Sequence, residues 1–180
     1  MGRFVALLRG INVGGNRKVP MAELRALAEE LGWTEPRTYI QSGNLVFGAR
    51  GKAPGLAERL ERALEERFGF AVPVVVRDER AWRALVKASP WPALTGKDPA
   101  HVLAGLAKDS IRRTAAAELA ERAQGAERVA LAGGVLWIHY AAGIARSKLT
   151  PALLDRCAGS SVTARNWTTV LELESLLAAP

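Results

Sequence analysis

Residues 4–20 read FVALLRGINVGGNRKVP. An unbroken apolar run, from Phe4 to Leu8, stops at Arg9. Gly10, Gly14 and Gly15 surround Asn12; Arg17 and Lys18 follow; Val19 and Pro20 lead into residues with helical spacing. An apolar run without polar alternation reads as a strand at the centre of a sheet. The glycines suit a tight turn, and proline suits the first helical position. A strand that breaks on glycines and restarts as a helix presents backbone N–H groups where the helix dipole favours an anion. Two phosphate motifs fail to match. Gly10 and Gly15 have the spacing of a P-loop, but Asn16 and Arg17 stand where Lys and Ser/Thr belong, and the dinucleotide fingerprint G-x-G-x-x-G is absent. The loop is therefore either an unfamiliar anion site or a plain strand-to-helix connection.

Working outward, Met21, Leu24, Leu27, Ala28 and Leu31 recur at helical spacing, with Gly32 at the end. Residues 37–40 and 44–47 read as two strands around Gln41-Ser42-Gly43, or as one bent strand. Leu56, Leu60, Leu64 and Phe68 make a helical stripe closed by Gly69, and 72–76 is a β-branched run. The order βαββαβ is the ferredoxin-like arrangement. Asp78 suits the cap of a short helix. Pro90, Pro92, Gly96 and Pro99 mark residues 89–100 as a connector.

The element order then repeats. It runs through a strand at 101–107, a helix at 111–123, strands at 127–131 and 135–140 around Gly133-Gly134, a helix opening on Thr150-Pro151, and a short strand at 162–164. A final helix starts at Trp167. The reading is an α+β protein with two βαββαβ units, residues 1–88 and 101–180, joined by the Pro-rich connector and ending in a C-terminal helix. One mixed sheet is the alternative. The repeat is one of element order, without residue-level identity between the halves.

Composition limits the function. The 180 residues are 49% hydrophobic and 24% charged, an ordinary globular balance. No stretch has the length of a membrane span, and the N-terminus does not read as a signal peptide. The lone Cys157 excludes an internal disulfide, so the expectation is a cytoplasmic protein with no membrane partner. A net charge of +7 permits phosphate or nucleic-acid partners, although many of the cations alternate with glutamates on helix faces.

In a βαββαβ unit, the loop after strand one and the hairpin between strands two and three share a sheet end. That brings Arg9, Gly10, Asn12, Gly14, Gly15 and Lys18 near Gln41, Ser42 and Asn44. In the second unit Ser147 and Lys148, beside Arg146, precede a helix, while Arg165 and Asn166 precede the last one. These residues are expected around one anion, with Arg as a fork, Lys as a point charge and Ser as a hydroxyl. Plainer roles compete: Asn166 as a helix cap, Ser42 and Asn44 as turn residues. Catalytic signals are thin. His101 and His139 sit in apolar strand contexts without metal spacing, Cys157 lies on an apolar helical stripe, and no G-x-S-x-G occurs. No metal and no cofactor is implied.

Leu8-Arg9-Gly10-Ile11-Asn12-Val13-Gly14-Gly15, Tyr39-Ile40-Gln41-Ser42-Gly43-Asn44, Ser147-Lys148-Leu149-Thr150 and Thr163-Ala164-Arg165-Asn166-Trp167, with Val19-Pro20-Met21-Ala22-Glu23-Leu24, together resemble the DUF 1697 family of bacterial proteins. The resemblance spans nearly the whole chain and implies a two-part protein with ferredoxin-like units. It supplies no activity and no catalytic residue. The function expected is therefore binding of an anionic, phosphorylated small molecule. Nucleic-acid binding, catalysis on a phosphorylated substrate and a protein-interaction module are the alternatives.

Overall fold

The computed structural model describes residues 1–179. The first half contains β1 (Gly2–Leu8), α1 (Met21–Glu30), β2 (Thr34–Tyr39), β3 (Asn44–Ala49), α2 (Ala53–Phe68) and β4 (Val74–Asp78). Its sheet has the order β2-β3-β1-β4, antiparallel throughout. β1 is apolar along its length because both of its faces are covered. Phe4, Ala6 and Leu8 join Leu24, Leu27, Leu60 and Leu64 of α1 and α2 in one core. Val5 and Leu7 alternate to the opposite face and are equally buried. Each fully buried aliphatic side chain contributes roughly 1.5–3 kcal/mol.

After α3 (Glu79–Lys87) and α4 (Pro92–Lys97), the second half contains β5 (Val102–Ala107), α5 (Ala115–Ala120), β6 (Arg128–Ala132), β7 (Val135–His139), a 3-10 turn over Ile144–Arg146, α6 (Pro151–Ala158) and β8 (Val162–Asn166). The chain ends in α7 (Trp167–Ala178). The sheet order is β6-β7-β5-β8, again antiparallel. Its helix-side core joins Leu119, Leu136, Ile138, Leu154 and Val162. Both sheets therefore have the strand order of a ferredoxin-like unit. The fold is α+β, with two such four-stranded sheets among the described residues and a C-terminal helix.

Several boundaries differ from those read in the sequence. β2 starts at Thr34, earlier than 37, because it is a polar edge strand broken by an irregularity between Thr34 and Arg37, with Glu35 left-handed at φ 50°. The connector contains α4, whose Pro92 stands in its first turn. α5 is shorter than 111–123. The compact units are Met1–Arg83 together with the chain from Leu173 on, and Ala84–Glu172. The division thus falls within α3, and the end of α7 belongs with the first unit, where Leu176 accepts from the Arg3 guanidinium at 3.1 Å.

The repeat also reaches individual residues. Val74-Val75-Val76-Arg77-Asp78 and Val162-Thr163-Ala164-Arg165-Asn166 occupy equivalent edge strands: Arg77 lies opposite Val5 on β1, Arg165 opposite Ala104 on β5. In each, the arginine donates to the preceding carbonyl, Val76 O or Ala164 O, at 2.9 Å. In each, the next side chain caps the following helix. Asp78 Oδ1 accepts from Ala81 N–H at 2.7 Å, and Asn166 Oδ1 from Thr169 N–H at 2.9 Å. Only an Arg followed by Asp or Asn is shared as polar sequence, which is why the repeat is legible in element order but not, without the fold, at individual residues.

Candidate functional site

The glycine loop sits at the end of β1, between the starts of β3 and β4. Leu8 N–H donates to Gly43 O at 2.8 Å and Arg9 N–H to Pro73 O at 3.0 Å. Gly10, Asn12, Gly14, Gly15 and Arg17 all have positive φ, between 50° and 79°. Within the loop Val13 pairs with Asn16, and Asn12 N–H donates to Arg17 O at 3.1 Å. The Asn12 side chain is the clasp. Its Oδ1 accepts from Val19 N–H at 2.9 Å, and its Nδ2 donates to Val19 O at 2.9 Å and to Gln41 O at 2.8 Å. Asn also tolerates the left-handed backbone it adopts here. One residue thus closes the loop and ties it to the β2–β3 turn.

That turn is equally specified. Asn44 is fully buried, and its Nδ2 reaches Tyr39 O at 2.9 Å and Ser42 Oγ at 3.0 Å. Gly43, at φ 79°, lies so close to the loop that a Cβ there would stand 2.7 Å from both Ile11 Cδ1 and Leu8 Cβ. Ile11 is the buried plug beneath the loop. Asn12, Ser42 and Asn44 are therefore framework, and Gln41 contributes its carbonyl to that framework.

The outer part of the loop is different. Gly14 and Gly15 face open space. The Arg17 guanidinium lies 5.3 Å from the Phe70 ring centroid and donates to Ala71 O, which fixes its position. Lys18 and Gly10 are exposed and Arg9 is partly buried. α1 begins just after Pro20, which stands at the N-cap and not at the first helical position, with no side-chain cap on its first turn. Exposed Val13 and Ile40 lie on the two loops that Asn12 joins. Left-handed turns with outward N–H groups, beside cations, form concavities suited to anions, and the apolar side chains suit a ligand that is more than an anion.

In the second unit the predicted residues do not gather in the way the sequence suggested. Arg165 and Asn166 are successive strand residues and project to opposite sides. Arg165 turns to Thr163 Oγ1 at 2.9 Å, and burial pulls its guanidinium down to about 10, still charged at neutral pH. Asn166 is the cap of α7. Ser147 Oγ accepts from Leu149 N–H at 3.0 Å, and Thr150 Oγ1 caps α6 through Leu153 N–H at 3.3 Å. The buried Tyr140 hydroxyl, pushed up to about 12 mainly by desolvation, donates to Leu149 O at 3.1 Å and anchors the loop. Arg146 and Lys148 remain exposed on it.

The structure also joins residues that sequence reading set aside. Asp98 Oδ1 lies 2.7 Å from His101 Nδ1, and Asp98 Oδ2 lies 3.0 Å from His139 Nε2. Hydrogen bonds from His139 and then His101 hold the Asp98 carboxyl below its ordinary value. No local signal announces this cluster, because Asp98 precedes a proline in the connector and His139 ends an apolar strand. Elsewhere, a cavity of about 310 Å³ lies between α1 and α2, lined by Leu27, Glu30, Leu31, Ala63, Glu66 and Arg67. Arg67 is held there by Glu23 and Glu30. The Cys157 thiol is buried and pushed up, chiefly by desolvation. Among the described residues no group of His, Cys, Asp and Glu is arranged to hold a metal ion, and no helix is long and apolar enough to cross a membrane.

Comparison with known proteins gives the same fold. The conserved bacterial protein SP0830 from Streptococcus pneumoniae, a solved structure, matches at a TM-score of 0.76 and 25% identity, over 98% of this chain and 98% of that one. No curated protein matches the chain. The family model described as "Protein of unknown function (DUF1697)" matches residues 1–137, most of the sequence and the whole of the glycine loop. On that match the chain belongs to the DUF1697 family.

Proposed function

We propose that the protein binds a phosphorylated small molecule at the glycine loop of its first unit. Arg9, Gly10, Gly14, Gly15 and Lys18 meet the ligand, and Asn12, Gln41, Ser42 and Asn44 hold the loop. The observation that carries the reading is the division of labour within the loop. Its root is clasped by Asn12, while Gly14 and Gly15 face open space beside exposed Lys18. A loop fixed before binding needs little ordering when a ligand arrives. Backbone N–H groups and cations together favour an anion over a neutral ligand. The same reading makes the protein cytoplasmic, in keeping with a single buried cysteine.

The test is a thermal-stability screen against nucleotides, sugar phosphates, coenzymes and short oligonucleotides. A ligand at a hundred times its Kd adds about 2.7 kcal/mol to stability. The expected result is a shift with one phosphorylated small molecule that disappears in Lys18→Ala and Arg9→Ala. A shift only with oligonucleotides, falling steeply with salt, would move the reading to nucleic acid. No shift with any anion would leave the loop a connection alone.

A further inference from the structure

We propose that His101 is a general base, whose Nε2 takes a proton from a water or hydroxyl group bound at the end of the second sheet where β5 begins, with Asp98 as its positioning residue and His139 as the buried anchor. The chain has two histidines, and both meet the same carboxylate, one on each oxygen. A carboxylate only accepts, so each imidazole donates. Neutral His101 then carries its proton on Nδ1, which leaves the Nε2 lone pair bare. The His101 side chain is 46% exposed, and among the described residues its Nε2 has no hydrogen-bond partner.

His139 is the opposite case. Its side chain is 9% exposed, its Nε2 faces Asp98, and its Nδ1 is buried without a partner. That fits the tautomer with the proton on Nε2, donating to Asp98. The backbone fixes the cluster as well: Tyr140 N–H donates to His101 O at 2.9 Å, and His101 N–H to Asp98 O at 3.2 Å. A base held by a carboxylate that is itself held from behind is the orienting arrangement acid–base catalysis requires. Cations share this end of the sheet with a further acid, Glu127, which acts on Tyr140. Lys97 adjoins Asp98, Arg128 lies opposite His139 on β6, and exposed Arg146 and Lys148 lie on the loop that leaves β7 at this end. The proposal stands independently of the glycine-loop reading.

The experiment has two parts, both on the full chain. Long-range ¹⁵N–¹H NMR of the two imidazoles should show neutral His101 protonated on Nδ1 and neutral His139 on Nε2. Hydrolysis of 4-nitrophenyl acetate should then be catalysed. Water attacks the ester carbonyl, one of its protons goes to His101 Nε2, and the C–O bond breaks to release 4-nitrophenolate and acetic acid; the acid and the His101 imidazolium then each give a proton to solvent. His101→Gln, a change at an exposed side chain, should remove the catalysis, roughly a hundredfold effect for one general base. Asp98→Asn should lower the rate and shift neutral His101 toward the Nε2–H tautomer, and Asp98→Glu should restore part of both. An Nε2–H tautomer for His101 in the unsubstituted chain, a rate unchanged by His101→Gln, or an Asp98→Asn loss without movement of the tautomer would each overturn the proposal.

Discussion

In the first unit the chain leaves β1 at Leu8 and reaches α1 at Met21 through left-handed turns. In the second it leaves β5 at Ala107 and reaches α5 at Ala115 through residues 108–114, none of which has positive φ. The two connections hold equivalent places in their units but close differently. The second is strapped to the end of α6 and to the two serines that lead into β8. Arg112 Nε donates to Cys157 O and Arg112 N–H to Ala158 O, each at 3.0 Å; Lys108 N–H donates to Ser161 O at 3.2 Å, and Asp109 N–H to Ser160 Oγ at 3.1 Å. The first is also tied to its neighbours, at Pro73, Ala71 and Gln41, but it clasps its own two ends through one amide side chain and leaves its glycine tip exposed. The second connection is bonded to its neighbours along its length; the glycine loop is bonded at its root and leaves Gly14 and Gly15 in open space.

That comparison can be broken in order of size. Gly43→Ala should be the most destabilising, by about 2–4 kcal/mol, since it adds left-handed strain to an overpacked contact with Ile11 and Leu8; urea unfolding measures it. Asn12→Ala removes the clasp, three hydrogen bonds, and should cost about 2 kcal/mol. Arg112→Ala, in the strapped connection, should cost about 1 kcal/mol, because backbone contacts there remain. A reversed ranking of these two, by the same unfolding curves, would contradict the assigned roles. Asp78→Ala and Asn166→Ala should each cost about 1 kcal/mol as lost caps, and similar values would confirm the two strand-to-helix corners as equivalents.

The smallest effect is a pH dependence. Because the Asp98 carboxyl is held below its ordinary value, first by His139 and then by His101, the folded state binds fewer protons than the unfolded one between the two values. Stability from this cluster is therefore complete above the ordinary carboxylate pKa, about 4, and is lost as pH falls through the lower folded value. Asp98→Asn should flatten that part of the urea-midpoint profile between about pH 2 and 5; an unchanged slope would place the acid sensitivity elsewhere.

Much of the fold was legible because apolar patterning governs it. The uniform run in β1, the stripe Leu56, Leu60, Leu64 and the hairpin glycines at 133 and 134 each specify their element locally. β2 was read short because a polar edge strand has only one neighbour and no apolar signature. The glycine loop was visible from its composition, but Asn12's part in it was not, since its partners Val19 and Gln41 are backbone atoms that only the fold brings near. Arg165 and Asn166 looked like one cluster in sequence, yet strand alternation separates them. The His101–Asp98–His139 group was hidden for the converse reason: Asp98 and His139 are separated by a whole sheet's worth of chain, and geometry alone unites them.

The most direct test of the central claim is a ¹⁵N–¹H spectrum of the full chain, titrated with the phosphorylated ligand that gives the largest thermal shift. The account predicts saturable movement of the Gly10, Gly14, Gly15 and Lys18 amides, with residues 108–114 unmoved. Saturable shifts confined to the second unit, or none at the glycine loop, would contradict it.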